Sequence, residues 1–104
     1  MIHAKKILPQ HFEALREGTK TYELRKEQPD EPRYAVGDYL ALNEFDPGRH
    51  ATVDEQYTGR CLLFRISHVL RDDERLAKDC VALGLIKMPL CFEDLKDGVR
   101  LSFQ

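Results

Sequence analysis

Only one stretch of this chain reads as a clear helix, and that scarcity limits the fold more than any other feature of the sequence. From Pro9 to Glu17, Phe12 and Leu15 stand three apart with Ala14 beside them. That makes a narrow apolar stripe, with His11, Glu13, Arg16 and Glu17 facing outward. Pro9 suits the first helical turn, where its missing N–H is not needed. Gly18 stands where a left-handed cap ends a helix. The remaining apolar segments have strand length. Residues 2–8 carry Ile2, Ala4, Ile7 and Leu8 with His3, Lys5 and Lys6 between them. Thr21 to Lys26 alternates, and Tyr39 to Phe45 follows the turn signal Gly37-Asp38. Thr58 to Leu70 is the longest strand candidate, and Val81 to Ile86 is a buried one that Pro89 is expected to interrupt.

The connections carry their own signals. Gln28 to Arg33 is a loop with two prolines, and Asp46 to about Gln56 is a long polar loop, expected to be the most mobile part. Arg71 to Arg75 is a charged turn leading to a short helix through Lys78. Beyond it, Phe92 to Lys96 reads as one helical turn, Asp97-Gly98 as a reversal, and Val99, Leu101 and Phe103 as a final strand.

Five or six strands with one main helix cannot make a large parallel sheet covered on both faces. The expected class is α+β, mostly β: a small antiparallel or mixed barrel with the helix between the first two strands. The 104 residues form one expected domain, 1–104. A net charge of −2 excludes a strong overall field for polyanions, so any nucleic-acid role needs a local basic patch. Cys61, Cys80 and Cys91 have no paired spacing, which argues against a disulfide framework and a zinc knuckle. His3, His11, His50 and His68 are scattered, so neither a metal nor a cofactor is expected. By parity with Leu62, Phe64 and Ile66, His68 is a partly buried structural histidine, while His3 lies where it could reach a cleft. With no signal peptide and no apolar run long enough for a bilayer, a cytoplasmic protein without a membrane role is the expectation.

The stretch from Gly18 to Lys26 stands apart from this scaffold. Alternation would bury Tyr22 and Leu24 and turn Glu23 and Arg25 outward as a rigid pair. Lys20 and Lys26 add two ammonium groups beside them. Arg25 can fork onto a phosphate or carboxylate. The bland alternative is a solvated ion pair worth ~0–1 kcal/mol. At Tyr57-Thr58-Gly59-Arg60, Tyr57 could stack on a base and Arg60 reach a phosphate, as single strands are held. The plain reading there is a strand start with Gly59 as a bulge.

Gly18-x-Lys20-x-x-Glu23-x-Arg25 resembles the G-x-K-x-x-E-x-R signature of ASCH domains in the PUA-like superfamily. The chain is more similar still to a bacterial and phage group of ASCH-like proteins, the DUF3850 family. Lys6-Ile7-Leu8-Pro9, Phe12-Glu13-Ala14, Val36-Gly37-Asp38, Glu44-Phe45-Asp46, Tyr57 to Arg60 and Leu83-Gly84 follow in the expected order over residues 3–86. The chain departs at Glu27 to Arg33, a proline-rich segment where family members often carry Asn-Asp-Arg, and it continues past Ile86. The resemblance assigns no family role to the extension at residues 87–104.

The resemblance implies a PUA-like barrel whose cleft, beside the helix, binds RNA or a nucleotide-like ligand. Lys20, Glu23, Arg25, Lys26, Tyr57 and Arg60 are its candidate residues. Some ASCH proteins are acetylcytidine amidohydrolases that use a lysine, a threonine and a glutamate. Lys20 matches that lysine, but Glu23 occupies the threonine position, so Lys20 and Glu23 would have to act as a base and its partner. Binding is therefore favoured over catalysis. A third class is a phage or mobile-element accessory protein that holds another protein through the 46–56 loop or the tail.

Overall fold

A computed structural model describes residues 1–49 and 52–92, with backbone alone for 90–92. The chain forms strand β1 (Ile2–Ile7), helix α1 (Pro9–Glu17), strands β2 (Tyr22–Lys26) and β3 (Tyr39–Phe45), a single helical turn α2 (Val53–Gln56), and long strands β4 (Tyr57–Leu70) and β5 (Cys80–Phe92). The five strands make one sheet in the order β1-β3-β4-β5-β2. β1 runs parallel to β3 and every other pair is antiparallel. The sheet curls into a half-barrel, so the fold is the expected mostly-β α+β class with one main helix after the first strand. No helix among the described residues is long and apolar enough to cross a membrane.

Helix α1 ends as its sequence requires. Gly18 has φ 84°, and its N–H caps the Leu15 carbonyl. Phe12 and Leu15 are fully buried against Leu40, Leu42, Leu62 and Phe64 on the concave side of the sheet. A smaller cluster of Ala41, Cys61 and Leu63 lies apart from that core, which is why the central β3 carries apolar residues at both parities.

Three irregularities set where side chains point. Opposite Glu44, β4 holds three residues between the pairs Asn43–Cys61 and Phe45–Tyr57. Gly59 supplies φ 89° there, so it is a bulge residue as expected. Ser67 is an extra residue between the pairs Ile66–Leu85 and His68–Gly84. That shift reverses parity, so His68 is exposed rather than partly buried. Pro89 does not end its strand. β5 runs on to Phe92, with Pro89 in the irregular stretch between the pairs Phe64–Lys87 and Leu62–Cys91, where a missing N–H is tolerated. Residues 71–79 form turns with no helix, and Asp72 and Asp79 there adopt positive φ. The expected helical turn and final strand at 93–103 lie outside the described residues.

The largest correction concerns β2. Its alternation holds, but the faces are exchanged. Tyr22 and Leu24 are 52% and 55% exposed, whereas Glu23 is 5% exposed. Pairing explains this. Glu23 and Arg25 stand directly opposite Leu83 and Val81, which are committed to the core, so they share its face. β2 is an edge strand, and inward charges at an edge need a partner that the rest of the fold supplies.

Candidate functional site

The curl of the sheet brings its two edges, β1 and β2, within side-chain reach. Arg25 spans the seam, donating from Nη1 to the Lys6 carbonyl at 3.3 Å. After the Gly18 cap the chain folds back onto the helix: the Lys20 N–H donates to the Ala14 carbonyl at 3.1 Å, and the Thr19 hydroxyl to the same oxygen at 3.2 Å. This return aims Lys20 at the edge of β2. Its Nζ lies 2.8 Å from Glu23 Oε1 and 3.2 Å from His11 Nδ1. Arg25 Nη1 takes the other carboxylate oxygen of Glu23 at 3.2 Å. One buried carboxylate thus carries an ammonium on one oxygen and a guanidinium on the other.

These groups line an open cleft of about 610 Å3. The end of β1 supplies Lys6 and Ile7, the residue after it supplies Leu8, and β2 supplies Tyr22 through Arg25. His11, Lys20 and Phe45 complete it. Lys6 Nζ sits 4.6 Å over the Phe45 ring, and Lys20 Nζ lies 5.4 Å from the Tyr22 ring, distances at which an ammonium is attracted to the aromatic face. Lys6 has no carboxylate partner among the described residues. Three cations against one carboxylate make the cleft a local basic site on a chain of net negative charge. Tyr22 and Leu24, exposed by the face exchange, are apolar groups at its rim.

The structure brings Lys20, Glu23 and Arg25 together and leaves the other candidates elsewhere. Lys26 is exposed and does not line the cleft, and Tyr57 lies one ring beyond it, edge-on to Phe45 at 5.1 Å. Arg60 belongs to a separate network. It grips Glu44 with two donors at 2.9 Å and Glu13 with a third at 2.5 Å, while its guanidinium lies 4.5 Å over Phe12. The bulge at Gly59 makes this possible, because Thr58 and Arg60 both face Glu44, the Thr58 hydroxyl donating at 2.6 Å. Glu44 and Glu13 hold the Arg60 guanidinium protonated well above its ordinary range. Burial works to raise the Glu44 carboxyl, but Arg60 and Thr58 outweigh it and the net shift is downward. His3 does not reach the cleft either. It is buried against Tyr34 and bonded to Asp38 at 2.8 Å.

Sequence reasoning missed Lys6, His11 and Phe45 as parts of the site. It also missed Glu27, which fastens the 27–38 connection. Arg71 grips Glu27 with two bonds at 2.7 Å and reaches the Tyr34 carbonyl at 2.9 Å, while the Tyr34 N–H donates back to Glu27 at 3.0 Å. Arg71 holds the Glu27 carboxyl down to about 2, against burial. The folded value lies below the ordinary carboxylate value of about 4.3, so the unfolded chain binds this proton more readily. The contribution is therefore complete above about pH 5 and lost as pH falls towards 2. Urea unfolding should show Glu27→Gln about 2 kcal/mol less stable than the parent at pH 7, with the gap closing below about pH 3. A gap constant with pH would exclude this ionic latch.

The family described as "Domain of unknown function (DUF3850)" matches residues 2–85. No curated protein matches the chain.

Proposed function

The chain belongs to the DUF3850 family, and on that premise we propose that its cleft binds RNA or a nucleotide-like ligand as an ASCH-type, PUA-like module of the cytoplasm. The observation that carries the reading is the Lys20–Glu23–Arg25 constellation, set in an open cleft with the Lys6 ammonium at its edge. A phosphate is drawn to Lys6 and to the donors of Lys20 and Arg25 left over from Glu23. A base can lie on the exposed Tyr22 ring, and the Glu23 carboxylate accepts from a base N–H.

Fluorescence anisotropy with labelled single-stranded and structured RNA, titrated across a salt series, tests this. Affinity should fall with a log–log slope of roughly −0.7 for each phosphate held by a single strand. No binding at low salt would end the proposal.

The contact between Lys20 and Glu23 also favours a second reading, a small amidohydrolase on a modified nucleoside such as acetylcytidine. A lysine and a carboxylate 2.8 Å apart are within proton-transfer distance. Mass spectrometry of acetylated cytidine incubated with the protein decides it. Turnover no greater than that of Lys20→Ala excludes catalysis.

A further inference from the structure

We propose that the base recognised in this cleft is guanine, read on its Watson–Crick edge by Glu23 and one of its two flanking cations. The inference rests on the nucleotide reading above and names the ligand of that same site.

Glu23 has bonding capacity to spare. A carboxylate offers about four lone-pair positions on its two oxygens. In Glu23 one position on Oε1 is taken by Lys20 and one on Oε2 by Arg25. Each oxygen keeps a second acceptor position. The Glu23 side chain is 7% exposed, so whatever reaches it displaces the little water it has. A ligand that meets it with another acceptor sets lone pair against lone pair and leaves its own acceptor unpaired, a loss as large as a missing hydrogen bond to a charged group.

The flanking groups complete the pattern. Lys20 has three N–H donors, of which Glu23 and His11 engage two. Arg25 uses Nη1 for Glu23 and for the Lys6 carbonyl, and its Nε and Nη2 have no partner among the described residues. The floor of the cleft is thus a pair of adjacent acceptors with a charged donor on either side. Its complement is a pair of adjacent N–H donors beside a carbonyl. Guanine alone among the four bases carries that edge, as N2–H, N1–H and O6. Uracil has one N–H between two carbonyls. Adenine and cytosine place an unprotonated ring nitrogen next to their amino group, which sets a lone pair against one Glu23 oxygen. Guanine can be presented as a free nucleotide or as a residue in an RNA chain, and the chemistry of the edge is the same in both.

Isothermal titration of the intact protein with GMP, IMP, AMP, CMP and UMP tests the inference. GMP should bind roughly tenfold or more tightly than AMP, CMP and UMP, the discrimination of one good bidentate base contact. IMP, which lacks only the 2-amino donor, should lose most of that advantage, and 1-methyl-GMP should lose all of it. Pentanucleotides differing only in a central guanine or adenine form the second arm. A preference seen only there identifies the RNA chain as the source, and one equal to that of GMP identifies the free nucleotide. Glu23→Gln should lose the preference for guanine over adenine, because its amide turns a donor towards guanine. The IMP comparison uses the unaltered protein, so it stands even if that variant unfolds. Equal affinity for all four common nucleotides would overturn the guanine assignment and leave nucleotide binding standing. Absence of binding to every nucleotide and oligonucleotide would overturn both.

Discussion

Replacing Arg60 by alanine will lower the free energy of unfolding by about 4 kcal/mol, the cost of stripping a buried carboxylate of its counter-charge. Glu44 is 5% exposed and takes two bonds from that guanidinium. The variant leaves Thr58 as its one remaining side-chain donor among the described residues. It also removes the cation packed on Phe12 and frees Glu13 from α1's tie to β3 and β4. Domains of this size are stable by only about 5–15 kcal/mol, so the loss is a large share of the total. Arg60→Lys should recover only part of it, since an ammonium cannot reproduce the two-pronged grip. Arg60→Met combined with Glu44→Leu should recover more, because neither charge is then left alone. Urea unfolding monitored by circular dichroism measures all three. The geometry also expects nucleotide affinity in Arg60→Ala to stay within about twofold of the parent wherever the variant is folded. This separates the Arg60 network from the cleft, contrary to the expectation from sequence that the two act together.

The second large effect belongs to binding. Lys6→Ala combined with Lys20→Ala should weaken RNA binding by about 100-fold at low salt, roughly tenfold for each ammonium removed. The pair is chosen to leave Arg25 on Glu23, so the buried carboxylate keeps a cation and the fold is spared. Lys6 has no acidic partner among the described residues, so its removal exposes no unpaired charge. The salt slope should flatten by roughly 0.7 for each phosphate released from a lysine. An affinity and slope unchanged by the pair would place the polyanion elsewhere on the surface.

What could be recognised in the sequence follows the range of the forces involved. Helix α1 was legible because Pro9, the Phe12–Leu15 stripe and the Gly18 cap act within a few residues of one another. The Lys20, Glu23 and Arg25 grouping was legible for the same reason, since all three lie within one turn and one short strand. The face of β2 was not. Alternation gives the period of a strand, but its inner face was chosen by pairing with Leu83 and Val81, some sixty residues away in the chain. Parity along β4 failed at Ser67 because one extra residue reverses it, and nothing in the side chains marks that position. Lys6 and His11 join the cleft only because the sheet curls and the chain returns over α1, arrangements with no local signal. Arg60 was misplaced for a related reason. An arginine beside a glycine bulge looks free in a sequence, and the carboxylates that saturate it come from α1 and β3.

The central claim is that the β1–β2 cleft is the binding site, and amide chemical-shift mapping tests it most directly. Uniformly 15N-labelled protein titrated with GMP, and separately with a short single-stranded RNA, should show its largest shifts at Lys6 to His11 and Lys20 to Arg25. Tyr57 to Arg60 and the Glu27–Arg71 latch should move little. Shifts centred on Arg60 or Arg71, or no shifts at millimolar ligand, would contradict the account.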